Sequence, residues 1–227
     1  MWSSASRTAS ALEPQLAWNT MPESDTPEDL GLRERKKILT RQTIAGAAFE
    51  LARDNGIDDV TISQIADRAF VSPRTVSNYF HSKEAAIVAA DDNDPVTMLV
   101  GFEERPADEP PLQSLRAVLA GTVRNWDKEQ LGRLHAKEEL IDHSPSLLPH
   151  RMAQYDELED AIRIAVAERS GVDPETDAFA RMMAGAASAA VKTAIRVWVN
   201  TGAKPEELAD LVEHAFDDLE SGLSQDH

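Results

Sequence analysis

The segment TISQIADRAFVSPRTVSNYFHSK, residues 61–83, decides how this chain is read. Thr61 is of a type that caps helix N-termini, and Ile62, Ile65, Ala66 and Ala69 follow it at helical spacing on one face. Phe70, Val71 and Ser72 are too few to form an element, so they make a turn. Ser72 then caps a second helix, with Pro73 at its first position, where a missing N–H costs nothing. Only Val76 and Phe80 are clear apolar anchors in that helix. Arg74, Thr75, Ser77, Asn78 and Tyr79 are left for something outside the protein. A short helix with a polar outer face and few apolar anchors is what the major groove of DNA accepts.

Helical periodicity extends in both directions from this segment. Upstream, Arg33 to Asp54 carries the stripe Ile44, Ala45, Ala48, Phe49 and Ala52, stopped by Asn55 and Gly56. Downstream, Ser82 caps a further helix with Glu84 in its first turn, and Asp91–Pro95 breaks it before Val96–Phe102. Pro106, Pro110 and Pro111 mark a boundary. Helices are expected beyond it over Leu112–Lys128, Leu131–Ile141, Arg151–Glu168, Glu175–Asn200 and Glu206–Leu219. No stretch alternates like a strand. The expectation is an all-α chain of nine or ten helices in three parts. A Ser/Thr/Pro/Glu-rich tail over 1–30 is read as disordered. A three-helix helix-turn-helix domain follows over 31–84, and a C-terminal helical bundle over 85–227.

The chain has 227 residues, enough to bury a sizeable core, and no cysteine, which excludes disulfides and thiolate metal sites. No apolar run approaches membrane-spanning length, and MWSSASRTAS lacks the apolar core of a secretory signal, so a cytoplasmic protein with no membrane partner is expected. The net charge of −17 is unevenly spread. Residues 32–84 hold nine Lys and Arg against seven Asp and Glu, whereas 85–227 hold thirteen against twenty-eight. The acid lies outside the helix-turn-helix, where it keeps the body away from phosphates and turns the near-neutral head toward them. Architectural DNA proteins rely on stronger positive charge than this head has.

The pieces GLRERKK, RQTIAGAAFELARDNG, TISQIADRAFVS, PRTVSNYF and HSKEAA, in that order over residues 31–90, resemble the DNA-binding domain of the TetR family of bacterial transcriptional repressors. The resemblance implies a homodimer on a palindromic double-stranded operator, released by a hydrophobic small-molecule effector. It implies phosphate contacts by Tyr79 and Lys83, and by Thr75 and the helix start around Ser72 and Pro73. Thr61 and His81 flank the same helices and join the candidate DNA contacts. Arg74, Ser77 and Asn78 are the base-reading candidates, since Arg pairs with guanine and Asn with adenine in a bidentate way. Arg33, Arg35, Lys36, Lys37 and Arg41 are expected to open the first helix, a position unfavourable for cations against the helix dipole, and to reach phosphates or the minor groove. Many relatives carry an aromatic residue near Val76 and an arginine near Asn78. This sequence departs there, so its operator is its own.

The C-terminal half resembles the actinobacterial subgroup related to the mycofactocin regulator, carried by LQSLRAVLAGTV, RLHAKEELIDHSPSLLPHRMAQYDELEDAI and AAVKTAIRVWV. That implies an acyl-CoA-like effector; a drug, flavonoid or steroid-like compound is the alternative. Pocket candidates are Met98, Phe102, Leu119, Trp126, Leu140, Leu148, Met152 and Tyr155, although an apolar stripe is more often plain core. The last two helices carry Ala184, Ala187, Val191, Ala194 and Trp198, then Leu208, Leu211, Val212, Ala215 and Phe216. In the family such helices form a four-helix dimer interface. His135, Asp142, His143 and His150 do not share a helix face, so no metal site is expected. Glu138 and Glu139 point to different faces and are read as solvated. No phosphate loop, nucleophile elbow or HExxH occurs, so neither catalysis nor a cofactor is expected.

Overall fold

The computed structural model describes residues 27–90 and 95–223. The tail over 1–26 and the break at Asp91–Asp94 lie outside the described residues. Ten α-helices and two 3-10 turns make up the described chain, with no strand among them. The described residues up to Ile38 form one compact unit and those from Leu39 onward a second.

Helix α1 runs Pro27–Asn55, six residues earlier than expected. A proline suits a first turn, whose N–H groups have no partner in the helix anyway. Arg33, Arg35, Lys36 and Lys37 are therefore exposed in the body of a helix rather than at its start. The expected conflict with the helix dipole falls away, since that effect fades within the first turn.

In the second unit, Ile44, Ala45, Ala48, Phe49 and Ala52 of α1 are buried. They meet α2 (Ile62–Arg68), α3 (Pro73–Tyr79) and α4 (Lys83–Val88) in one apolar core. Each of these short helices starts at the expected cap. Thr61 Oγ1 accepts from Gln64 N at 3.2 Å while Gln64 Oε1 accepts from Thr61 N at 2.8 Å, a full capping box. Ser72 accepts from Thr75 N and Ser82 from Ala85 N, both at 3.0 Å.

Four helices then pair in succession to hold the second core. Helix α8 (Leu148–Ser170) packs on α9 (Ala178–Thr201), which packs on α10 (Leu208–Glu220), which packs on α6 (Pro111–Arg124). Ala180, Ala184, Ala187, Ala190 and Ala194 let α9 approach its neighbours closely. Trp198 is fully buried, its Nε1 donating to Lys204 O at 3.0 Å. The short α5 covers only Pro95–Met98; Gly101, at φ +87°, lies in the turns that replace the rest of the expected helix. The helix expected over Leu112–Lys128 ends at Arg124 because Asp127 caps α7 (Lys128–Asp142), accepting from Gln130 N at 2.8 Å.

The two cores do not divide at residue 84. Ala86, Ile87 and Val88 of α4 belong to the helix-turn-helix core, and so do Ile141 of α7 and Leu147 of the 3-10 turn Pro145–Leu147.

Phe70 takes the left-handed conformation, φ +54°, in the turn between α2 and α3, with its ring 96% exposed. Val71 N reaches back to Ala66 O at 2.9 Å, a helix-ending bond that favours glycine at the residue before it. A non-glycine residue there costs about 1–2 kcal/mol, and glycine's freedom in the unfolded chain returns part of that. Phe70→Gly is expected to raise the unfolding free energy by about 0.5–1 kcal/mol. Urea melts of the two proteins check this, and a destabilised variant would mean the exposed ring contributes packing.

Candidate functional site

The second helix of the turn is held from inside and open outside. Val76 is 0% and Phe80 5% exposed, and they anchor α3 in the core. Arg74, Ser77 and Asn78 are exposed on the opposite side, where base edges would be met. Tyr79 is half-buried, packed against the same core. Pro73 is exposed at the helix start, and the hydroxyls of Ser72 and Thr75 share a hydrogen bond of 2.8 Å. Thr61 and Ser72 thus spend their side chains on caps and can offer a phosphate only what remains. Arg41 lies over the Phe80 ring, 5.1 Å from its centre, so it braces the end of α3. His81 is exposed, its ring 5.4 Å from that of His150 on α8.

Lys83 is placed differently from the sequence expectation. Its Nζ donates to Ile57 O at 2.8 Å, Val60 O at 2.9 Å and Asp58 O at 3.2 Å. All three ammonium donors are taken up by the loop between α1 and α2. Lys83 ties the start of α4 to the head, a role that no local sequence signal announces.

The eight pocket candidates separate. Leu119 is fully buried in the second core, and Leu140 packs on the helix-turn-helix core. Phe102 borders an open groove of about 460 Å³ between the Leu99–Glu104 turns and α8. Met98, Trp126 and Tyr155 line a void of about 30 Å³. Leu148, Met152 and Tyr155 line a cavity of about 190 Å³ among α7, α8 and α9.

These last two spaces share Arg151 and Tyr155. The Arg151 guanidinium stacks over the Tyr155 ring at 4.1 Å. Burial pushes the Tyr155 phenol up to about 12, so it stays protonated and able to donate. Arg151 pairs with Glu138, and both are buried, 5% exposed each. The reading of Glu138 as solvated is thus overturned: α7 turns it inward, where the Arg151 guanidinium offsets the cost of burying the carboxylate. Asp142 and Arg196 pair at 2.5 Å, and Asp142 raises the Arg196 pKa. Arg151 was legible in principle, since 151, 155, 158 and 162 share one helical stripe with Tyr155, Leu158 and Ile162. Gln154, Lys192 and Arg196 also line these spaces, and they come together only through tertiary packing.

The expected self-association residues are mostly spent within the protomer. Ala184, Ala187, Val191, Ala194, Trp198, Leu208, Val212 and Phe216 lie in the second core, at 3% exposure or less, and only Leu211 and Ala215 are part-exposed. Alanine-rich spacing signals close helix packing, but not whose helix packs there. Among the described residues no cluster of His, Cys, Asp and Glu could hold a metal ion, and no helix is long and apolar enough to cross a membrane.

Comparisons with known proteins match the chain in two parts. The profile of bacterial regulatory proteins of the tetR family matches residues 44–90, and that of the MftR C-terminal domain matches 109–224. The HTH-type transcriptional regulator TcmR of Streptomyces glaucescens is 34% identical over 208 residues, 88% of this chain and 92% of that protein. MftR of Mycobacterium tuberculosis, named as a mycofactocin biosynthesis transcriptional regulator, is 27% identical over 84% of this chain and 94% of its own. A solved structure of Thermus thermophilus FadR, a TetR-family repressor in complex with lauroyl-CoA, is similar at 26% identity and TM-score 0.46, over 82% of this chain and 96% of that one. With one profile on the helix-turn-helix, a second on the C-terminal half and a regulator matching along most of both chains, the protein belongs to the TetR family of transcriptional regulators and carries an MftR-like C-terminal domain.

Proposed function

We propose that the protein is a homodimeric repressor that binds a palindromic operator and leaves it when a hydrophobic small molecule occupies the C-terminal bundle. The observation that carries this reading is the outward face of α3. Arg74, Ser77 and Asn78 are exposed on a helix whose other side is locked by Val76 and Phe80. Arg33, Arg35, Lys36, Lys37 and Arg41 add positive charge along α1 for phosphate contact. Tyr79 adds a hydroxyl at the end of α3, and Thr75 and His81 stand close to it in sequence.

The packing supplies a route for release. Ile141 belongs to the helix-turn-helix core and also lines the 190 Å³ cavity. A ligand that fills this cavity pushes on a residue that fixes the head. Release follows only to the extent that the ligand binds the two head positions with different affinity.

Dimerisation belongs on the open side of α9. Met182, Ala186, Ala189, Thr193 and Val197 recur at spacings of three and four, and none of them is buried. Met182 is 71% exposed. This face replaces the buried set as the self-association surface, and two heads then reach successive major grooves.

Fluorescence anisotropy on a labelled fragment from upstream of the protein's own gene is expected to give salt-dependent binding. Asn78→Ala and Arg74→Ala are each expected to weaken specific binding by about 1–3 kcal/mol without lowering stability. Unchanged affinity in both variants would move base reading elsewhere. Lys83→Met strands three carbonyl groups and is expected to cost about 1–3 kcal/mol of stability. Full stability with lost DNA affinity would instead make Lys83 a phosphate ligand. Val197→Arg is expected to shift sedimentation from dimer to monomer, and a persistent dimer would place the interface on another face.

A further inference from the structure

We infer that the cavity among α7, α8 and α9 takes an apolar molecule bearing a single negative charge, a medium-chain or aromatic carboxylate, with its carboxylate at Arg151 and Lys192. This rests on the effector reading above and narrows its chemistry.

The first observation is a buried, paired cation with one donor left unmet. Arg151 Nη2 lies against Glu138 Oε1 in the buried ion pair, and only its Nε has no acceptor within the protein. Its Nη1 donates to Gln154 Oε1 at 3.1 Å. A guanidinium carries five donors in a planar fork that suits a carboxylate, and an unmet buried donor is costly. One NH-bearing position of Arg151, Nε, is therefore left for an acceptor oxygen once the side chain shifts to expose it.

The second observation is the local charge. Three cations, Arg151, Lys192 and Arg196, line this cavity together with one acid, Glu138. Asp142 approaches from α7 to pair with Arg196. Counting Asp142, one positive charge is left over, in a C-terminal half where acids outnumber bases by twenty-eight to thirteen. That balance suits one carboxylate and not a string of phosphates. The Lys192 Nζ stands 5.6 Å from the Tyr155 ring centre, on the same side chain that Arg151 stacks on. The protonated Tyr155 phenol can donate to the same anion.

The third observation is the apolar space behind this polar rim. The 30 Å³ void beyond Arg151 and Tyr155 is bordered by Met98, Trp126, Leu158 and Val191. A carboxylate held at Arg151 leaves its hydrocarbon body in the 190 Å³ cavity, with this void as the space that opens beyond it. The two spaces together are smaller than ordinary ligand pockets of about 300–1,000 Å³, so the molecule is small or the bundle opens around it.

The test is calorimetric titration of the full-length protein, without DNA, using decanoate and 2-naphthoate against their neutral counterparts decan-1-ol and 2-naphthalenemethanol. At least one acid is expected to bind about tenfold or more tightly than its alcohol, in line with a charge-assisted contact. Lys192→Gln, on an exposed position that keeps the fold, is expected to reduce that preference several-fold. Arg151→Met is expected to abolish it, with circular dichroism confirming that the variant is folded. Glu138→Gln removes the internal competitor and is expected to tighten acid binding. Equal binding of acid and alcohol, no binding of either acid, or a preference unaltered in Lys192→Gln and Glu138→Gln would each overturn the assignment. Operator binding by the ligand-free protein is measured separately, so loss of this inference leaves the regulator reading standing, and the reverse also holds.

Discussion

Ile141 and Leu147 share one apolar core with Ile44, Phe49, Val76 and Ile87, and the arrangement of the protein beyond residue 39 depends on this. The helix-turn-helix core is completed by the corner between α7 and α8. Close-packed cores do not deform continuously, because a displaced side chain must find another complete packing. The corner between α7 and α8 therefore bears on the core that seats α3. Lys83 adds a second link by tying the start of α4 to the carbonyl groups of Ile57, Asp58 and Val60.

The C-terminal bundle combines a tight alanine seam with a buried charged cluster. Alanines on α9 bring its neighbours close and leave Trp198 fully enclosed. Beside that seam, Glu138, Arg151 and Tyr155 form a buried polar patch of the kind that well-packed apolar side chains often replace with little loss of stability. Buried groups of this kind are expensive to hold and specific in what they accept. Acid elsewhere on the domain disfavours general anion binding, so the positive rim around Arg151 and Lys192 is a local exception.

Much of the helix-turn-helix was legible because its signals are local. Thr61, Ser72 and Ser82 announce helix starts by hydrogen bonds only three residues long, and Val76 and Phe80 announce the inward face by spacing. Helix ends in the bundle depart from the apolar periodicity where a cap competes with it, as at Asp127, and where a turn held by Gly101 replaces an expected helix. The early start of α1 at Pro27 removed an electrostatic conflict that the cationic segment had suggested.

The sequence by itself determined the all-helical class, the order of the helices, and the outward placement of Arg74, Ser77 and Asn78, because caps, turns and periodicity act within a few residues. Only the tertiary structure decided that Glu138 is buried against Arg151, that Lys83 faces backbone rather than solvent, and that the alanine stripe of α9 serves the protomer's own core. Those outcomes depend on which helix lies opposite, and a stripe, a lysine or a carboxylate carries no local record of its distant neighbour.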